Sequence, residues 1–397
     1  MVVGRNLHRD DQAVGGTRDG KHTLYEEAFF PEQGMGVVAV TDRQRDFSRT
    51  AGRQHAHDPH PAIMTCPEPT TKYPTPRRDA TDSSHSRAAT GVGMLARPTQ
   101  AEVRGPRFME YRDSADISGA PVNRQGSGGS GGRIAVGGGA SIIVIILAML
   151  LGFDPSGLLG GTTGTGDTGA VNPVTECTRG SDVAKNRDCR WNAYMASIGS
   201  YWSGAPDLPG FQATSMTIFT DQVSTGCGAA TSQVGPFYCP VAAVIYIDTT
   251  FMATMLKQLG AKGGDAAEAY IVAHEYGHHI QNLLGTMAKA QSSTQTGAGS
   301  AAVRLELQAD CYAGVWFRHS TDDPNGAIKA VSQDDLDRIV DAAKAVGDDA
   351  IQKMQSGAVN PESWTHGSSA QRKHWLAIGF KSGDWKSCDT FSATNLG

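Results

Sequence analysis

With 397 residues, 39% of them hydrophobic, and 48 glycines, the chain can bury a sizeable core, diluted by glycine-rich stretches outside it. A net charge of −5 offers no basic field, so no nucleic-acid partner is expected.

Residues 1–108 scatter Arg, His, Pro, Asp and Thr, as in "HDPHPAIMTCPEPTTKYPTPRRDATDSSHS", and sustain no apolar period. They are expected to be disordered, or to be an extension upstream of a true start at Met109. Residues 109–133 are short, polar and glycine-rich ("NRQGSGGSGGR"), which is linker chemistry. Ile134–Phe153, "IAVGGGASIIVIILAMLLGF", is 20 residues without a charge, about the length that crosses the hydrocarbon core. No A-x-A-like site follows, so one uncleaved N-terminal transmembrane helix is expected rather than a removed signal. Arg124 and Arg133 precede it closely, whereas the next basic residue is Arg179. By that bias residues 109–133 should be cytoplasmic and the C-terminal half outside, a single-pass cell-membrane protein with an extracytoplasmic domain. Residues 154–173 read as a flexible tether, and residues 174–397 as the folded domain.

Six of the seven cysteines, Cys177, Cys189, Cys227, Cys239, Cys311 and Cys388, lie in that domain. An even set suggests disulfides in an oxidising compartment; six buried thiols are the alternative. Fifteen connectivities are open to six cysteines. Short separations favour Cys177–Cys189 and Cys227–Cys239, which leaves Cys311 with Cys388.

Within the domain, "RDCRWNAYMASIGSYWSGA" predicts an aromatic-faced helix and "PVAAVIYIDTT" a buried strand. A helix is expected from Asp265 to Leu284, with Asp265 and Glu268 at its start and Gly285 as its stop. Two more follow, over about Ala301–His319 and about Asp334–Gln355. The first of the three carries "HEYGH". His274 and His278, four apart, share one helix face and can meet one tetrahedral zinc ion from adjacent corners. Glu275 lies about 100° further round the helix, placed to act on water without binding the metal. The flanking Ile271, Val272, Ala273, Ile280, Leu283 and Leu284 make a solvated surface helix a poor alternative. His279 faces elsewhere and reads as a packed or hydrogen-bonded histidine.

A catalytic zinc needs a third protein ligand and an open position. Leu284 stands where an HExxHxxGxxH pattern would put a third histidine. The next helix supplies a carboxylate instead, in "RLELQADCYAGVW". Glu306 can bind the metal while Asp310, one turn on, accepts the outer N–H of a ligand histidine and so orients its ring. The bland alternative, a solvated acidic face, is opposed by the apolar residues around both.

"HEYGHHIQ" followed by "RLELQADCYAGVW" resembles the bacterial family of neutral zinc metallopeptidases, a membrane-anchored branch with the zincin metal site. The likeness takes in Cys227–Asp248 and Trp364–Phe380, and covers Met109 to Gly397. It implies an α+β, helix-rich, zincin-like metallopeptidase domain. In gluzincins the ExxxD acid is the third ligand and the later Asp supports a histidine, which matches Glu306 and Asp310. The strand in "PVAAVIYIDTTFM" could be the edge against which an extended peptide lies, or an interior strand. His366, in "WTHGSSAQRKHW", could hydrogen-bond the oxyanion of the reaction, or close a turn before the last helix.

The expected function is hydrolysis of peptide bonds in a peptide or protein substrate. Zn2+ is held by His274, His278 and Glu306, and Glu275 is general base to the zinc-activated water. The rival is a non-catalytic extracytoplasmic zinc module that binds a partner. Such a structural site would need a fourth ligand, for which Cys311 and His279 are the candidates.

Overall fold

The structure is a computed structural model, and it describes residues 109–125 and 170–397. The expected transmembrane helix Ile134–Phe153, the extension 1–108 and most of the tether lie outside the described residues. Among the described residues no helix is long and apolar enough to cross a membrane.

In chain order the main elements are β1 (Glu110–Tyr111), β2 (Val122–Gln125), β3 (Val171–Pro173), α1 (Arg190–Ser203), β4 (Ser215–Ile218), β5 (Gln222–Thr225), β6 (Gly228–Thr231), β7 (Phe237–Cys239) and β8 (Val244–Ile247). Then come α2 (Thr249–Gln258), α3 (Asp265–Leu283), α4 (Thr286–Gln291), α5 (Ala301–His319), β9 (Ile328–Ala330), α6 (Gln333–Ala345), α7 (Asp348–Ser356) and α8 (Ser369–Ser382). A five-stranded sheet has the order β3-β2-β4-β8-β7, its β2, β4 and β8 parallel and its outer two strands antiparallel to their neighbours. The fold is mixed α+β. The sheet and α1, α3, α5, α6 and α8 enclose one apolar core, in which Trp191, Tyr194, Trp202 and Trp316 are fully buried.

The helix ends follow the sequence. Acidic Asp265 and Glu268 sit in the first turn of α3, where the helix dipole favours negative charge. Gly285, at φ 71°, takes the left-handed conformation just beyond its end. Ser300 caps α5, while Ser332 with Asp335 and Ser368 with Gln371 form capping boxes on α6 and α8. The helix expected over Asp334–Gln355 is two helices, broken at Val346–Gly347. A Cβ on Gly347 would lie 2.4 Å from the Ser369 amide nitrogen, so the start of α8 packs against the break.

The three disulfides are Cys177–Cys189, Cys227–Cys239 and Cys311–Cys388, as the spacing suggests. The second ties the β5–β6 hairpin to β7 over a small core of its own.

Three further sequence expectations are corrected. Residues 109–125 are not a separate polar segment: Met109, Ile117 and Val122 are buried in the core, and β2 pairs with both β3 and β4. So few apolar residues make no periodic signal, because their partners lie far along the chain. Val171–Pro173, read as tether, is the strand β3. Gln125 stands opposite Val171, so the chain leaves and rejoins one sheet across residues 126–170. Of the expected cytoplasmic segment 109–133, residues 109–125 are described, and their placement across a membrane from 174–397 is incompatible with that pairing. The strand in "PVAAVIYID", β8, is interior, between β4 and β7. The outer strand on that side is β7.

Candidate metal centre and cleft

Helices α3 and α5 bring the expected ligands together, and a small-residue contact lets them do so. A Cβ on Gly277 would lie 3.0 Å from the Ala309 Cα and 3.1 Å from its carbonyl oxygen. The glycine inside HEYGH thus allows α5 to approach closely between the two histidines of α3. His274 Nε2 is 3.2 Å from Glu306 Oε2, and His278 Nε2 is 3.5 Å from Glu306 Oε1. Ligand atoms of the three residues lie within 4.8 Å of one another, and all three are buried.

This donor set fits a divalent zinc ion: two imidazoles, one carboxylate, and a convergent geometry. Among the described residues Glu306 Oε1 is buried with no hydrogen-bond partner, a costly arrangement that a cation would relieve. Charge points the same way. Burial opposes ionisation of Glu306, yet His278, His274 and His366 outweigh it and hold the carboxyl well below its ordinary range. Burial disfavours charge on both imidazoles. At His274 it is outweighed by Asp310 and Glu306, which raise the ring to about 9, whereas at His278 it prevails and lowers the ring to about 4. Between the two carboxylates His274 can thus hold a proton on the Nε2 that faces Glu306, the position a cation would contest.

Asp310 stands where the sequence put it, fully buried. Its Oδ1 accepts from His274 Nδ1 (2.9 Å) and from the Tyr270 hydroxyl (2.5 Å). Its charge is balanced by Arg372, whose Nε and Nη2 each donate at 2.9 Å to one carboxylate oxygen. Burial works against the Asp310 charge, but Arg372 and His274 overcome it and lower its pKa. Arg372 was not legible from α8 alone, since it acts 62 residues away from Asp310. Gln281 was also missed; its Oε1 accepts from His278 Nδ1 at 2.8 Å. Its i+3 spacing from His278 was the available signal.

Glu275 lines the same cleft as His274, His278, Glu306 and His366. Burial pushes its carboxyl up to about 8, against the charge of His274 and a hydrogen bond from the Tyr238 backbone N–H. His366 is buried, and its Nδ1 is 3.1 Å from Asp348 Oδ1. Asp348 Oδ2 accepts the backbone N–H groups of Thr365, His366 and Gly367 as well. Asp348, at the start of α7, was a third residue missed by the sequence reading. With Nδ1–H donated to Asp348, the His366 Nε2 remains for the cleft.

Neither candidate fourth ligand joins the cluster. Cys311 is bonded to Cys388. His279 Nε2 donates to the Gln212 carbonyl and its Nδ1 accepts from the Tyr238 hydroxyl, as a packed histidine should. β7 borders the cleft through Phe237 and Tyr238, and Met255, Leu259, Ile271 and Val346 give it an apolar wall.

The family described as "Putative neutral zinc metallopeptidase" matches residues 107–391. An uncharacterized protein of Mycobacterium tuberculosis is 47% identical over 257 residues, 63% of this chain and 87% of its own length. The uncharacterized protein YpfJ of Escherichia coli is 37% identical over 290 residues, 70% of this chain and 94% of its own. No solved structure matches.

Proposed function

The chain belongs to the family described as "Putative neutral zinc metallopeptidase", and from that premise we propose that it is a zinc-dependent peptidase of zincin type. The observation that carries the reading is the convergence of His274, His278 and Glu306 in a cleft that Glu275, outside that cluster, also lines. His274, His278 and Glu306 would hold Zn2+, which when bound supplies a Lewis acid that acidifies water and polarises a carbonyl.

Glu275 acts as general base, taking a proton from the attacking water and passing it to the leaving amine. Its burial suits this work, since a carboxyl held near neutrality can both accept and release a proton. Asp310, steadied by Arg372 and Tyr270, keeps the His274 ring oriented with Nε2 toward the ligand cluster. As the imidazolium that Asp348 favours against burial, His366 donates its Nε2–H to the carbonyl oxygen as negative charge develops there, with Asp348 holding the ring in place through Nδ1–H.

The substrate is an extended peptide lying along β7, with an apolar side chain against the wall of Met255, Leu259, Ile271 and Val346. The test is incubation of the zinc-supplemented protein with a diverse peptide mixture and sequencing of the products. Cleavage should occur, with apolar residues enriched next to the cut. No cleavage would contradict the enzymatic reading and leave the non-catalytic zinc module in its place.

Three disulfides support an oxidising, extracytoplasmic setting for the domain. Membrane attachment through Ile134–Phe153 is proposed from its hydropathy, with both flanks of that stretch on the domain's side.

A further inference from the structure

His274 is oriented by a carboxylate, but among the described residues nothing ionic touches the outer nitrogen of His278. Its partner is the amide of Gln281, fully buried and three residues on along α3. Which end of an amide faces a ring is decided by its other bonds. Gln281 Nε2 lies 2.6 Å from the Leu305 carbonyl oxygen, and a carbonyl can only accept. The nitrogen end of Gln281 is therefore committed to Leu305, and its Oε1 must be the atom 2.8 Å from His278 Nδ1. Because Oε1 can only accept, Nδ1 must carry the hydrogen. A neutral imidazole has one N–H, so Nε2 keeps its lone pair and faces Glu306.

The chain of donors extends one step further. Gln308 Nε2 donates to the Cys388 carbonyl at 2.9 Å. Its Oε1, 3.2 Å from Gln281 Nε2, thus accepts the second N–H of Gln281. Both ends of the relay rest on backbone carbonyls, so neither amide can flip without losing its bonds. Leu305 immediately precedes Glu306, and so Gln281 also ties the two ligand helices together beside the cluster.

We propose that Gln281 is the positioning residue that holds His278 in the Nδ1–H tautomer and so presents Nε2 as a metal ligand. The proposal rests on the metal-site reading above, not on catalysis. Two observables test it: the His278 tautomer, from imidazole 15N shifts of the labelled metal-free protein, and zinc affinity, from competition with a chromophoric chelator. The parent should show Nδ1–H. Gln281→Leu should populate the Nε2–H tautomer and bind zinc about 10–100-fold more weakly. Gln308→Leu removes an amide of the same size from the same cluster but leaves Gln281 held by Leu305. It should keep the tautomer and stay within roughly threefold of parental zinc affinity.

A merely structural role for the buried amides would move both variants alike, and would overturn the proposal. So would a parent with the Nε2–H tautomer, a result that needs no variant to fold. A folded Gln281→Leu with parental tautomer and affinity would overturn it too. A parent that shows Nδ1–H yet takes up no zinc would uphold the hold of Gln281 on the ring and overturn the metal reading instead.

Discussion

Asp348 and His366 show how much a single buried pair does beside the cleft. Burial opposes the charge of Asp348, but the His366 ring and the backbone N–H groups of His366 and Thr365 outweigh it and hold the carboxyl below its ordinary 3.8. Burial likewise opposes charge on His366, and Asp348 outweighs it, raising the ring above its ordinary 6.5. The Asp348 contribution to stability is complete above about pH 4 and is lost as pH falls through its lowered value. The His366 contribution is complete below about pH 6.5 and is lost as pH rises through its raised value. Asp348→Asn in the metal-free protein should therefore cost about 3–5 kcal/mol between those limits and less on either side. Denaturation across the pH range checks this; a cost that does not vary with pH would show that charge is not what the pair contributes. At this scale legibility was uneven. His274, Glu275 and His278 announce themselves by local spacing, and Glu306 with Asp310 by helical spacing. Arg372 and Asp348 do not, because their partners lie across helices that only the folded chain brings together.

At the scale of elements, the ligand helices were legible almost to the residue, since an apolar surround and clear caps mark α3 and α5. The break between α6 and α7 was not legible, because the apolar pattern runs through it and its cause is a tertiary contact with Ser369. Close helix contacts are similarly silent in sequence. A Cβ on Gly379 of α8 would fall 1.9 Å from the Cys311 carbonyl oxygen, and one on Gly314 of α5 would fall 2.2 Å from that of Leu376. These two glycines set the separation of α5, which bears Glu306, from α8, which bears Arg372. Gly379→Ala should destabilise the domain by about 3 kcal/mol or more, because backbone has to move. It should also weaken zinc binding by shifting Arg372 away from Asp310. Urea unfolding and a zinc titration measure both; parental values in both would mean the helices are free to part.

Across the whole molecule the disposition of the N-terminal strands was the least legible feature. Residues 109–125 hold too few apolar positions to signal a strand, and their pairing with β3 and β4 depends on chain more than 40 residues away. That pairing predicts that both ends of the described domain lie on one side of any membrane the chain meets. Ser118 and Ser392 are both exposed. Cysteines placed at each should react alike with an impermeant thiol reagent in intact cells, and both should be labelled if the domain is extracytoplasmic. Labelling of one alone would contradict the β2–β3 pairing.

The proposed chemistry rests on a division of labour between two glutamates, Glu306 holding metal and Glu275 moving a proton. The direct measurement is bound zinc and peptide turnover on Glu275→Gln beside Glu306→Ala. Glu275→Gln leaves the ligands intact, so it should keep about one zinc per chain while turnover falls about a hundredfold or more. Glu306→Ala should lose zinc and activity together, with some loss of stability, since metal binding is linked to folding. If Glu275→Gln lost its zinc while Glu306→Ala kept it, or if Glu275→Gln turned over as fast as the parent, the assignment of roles would be wrong.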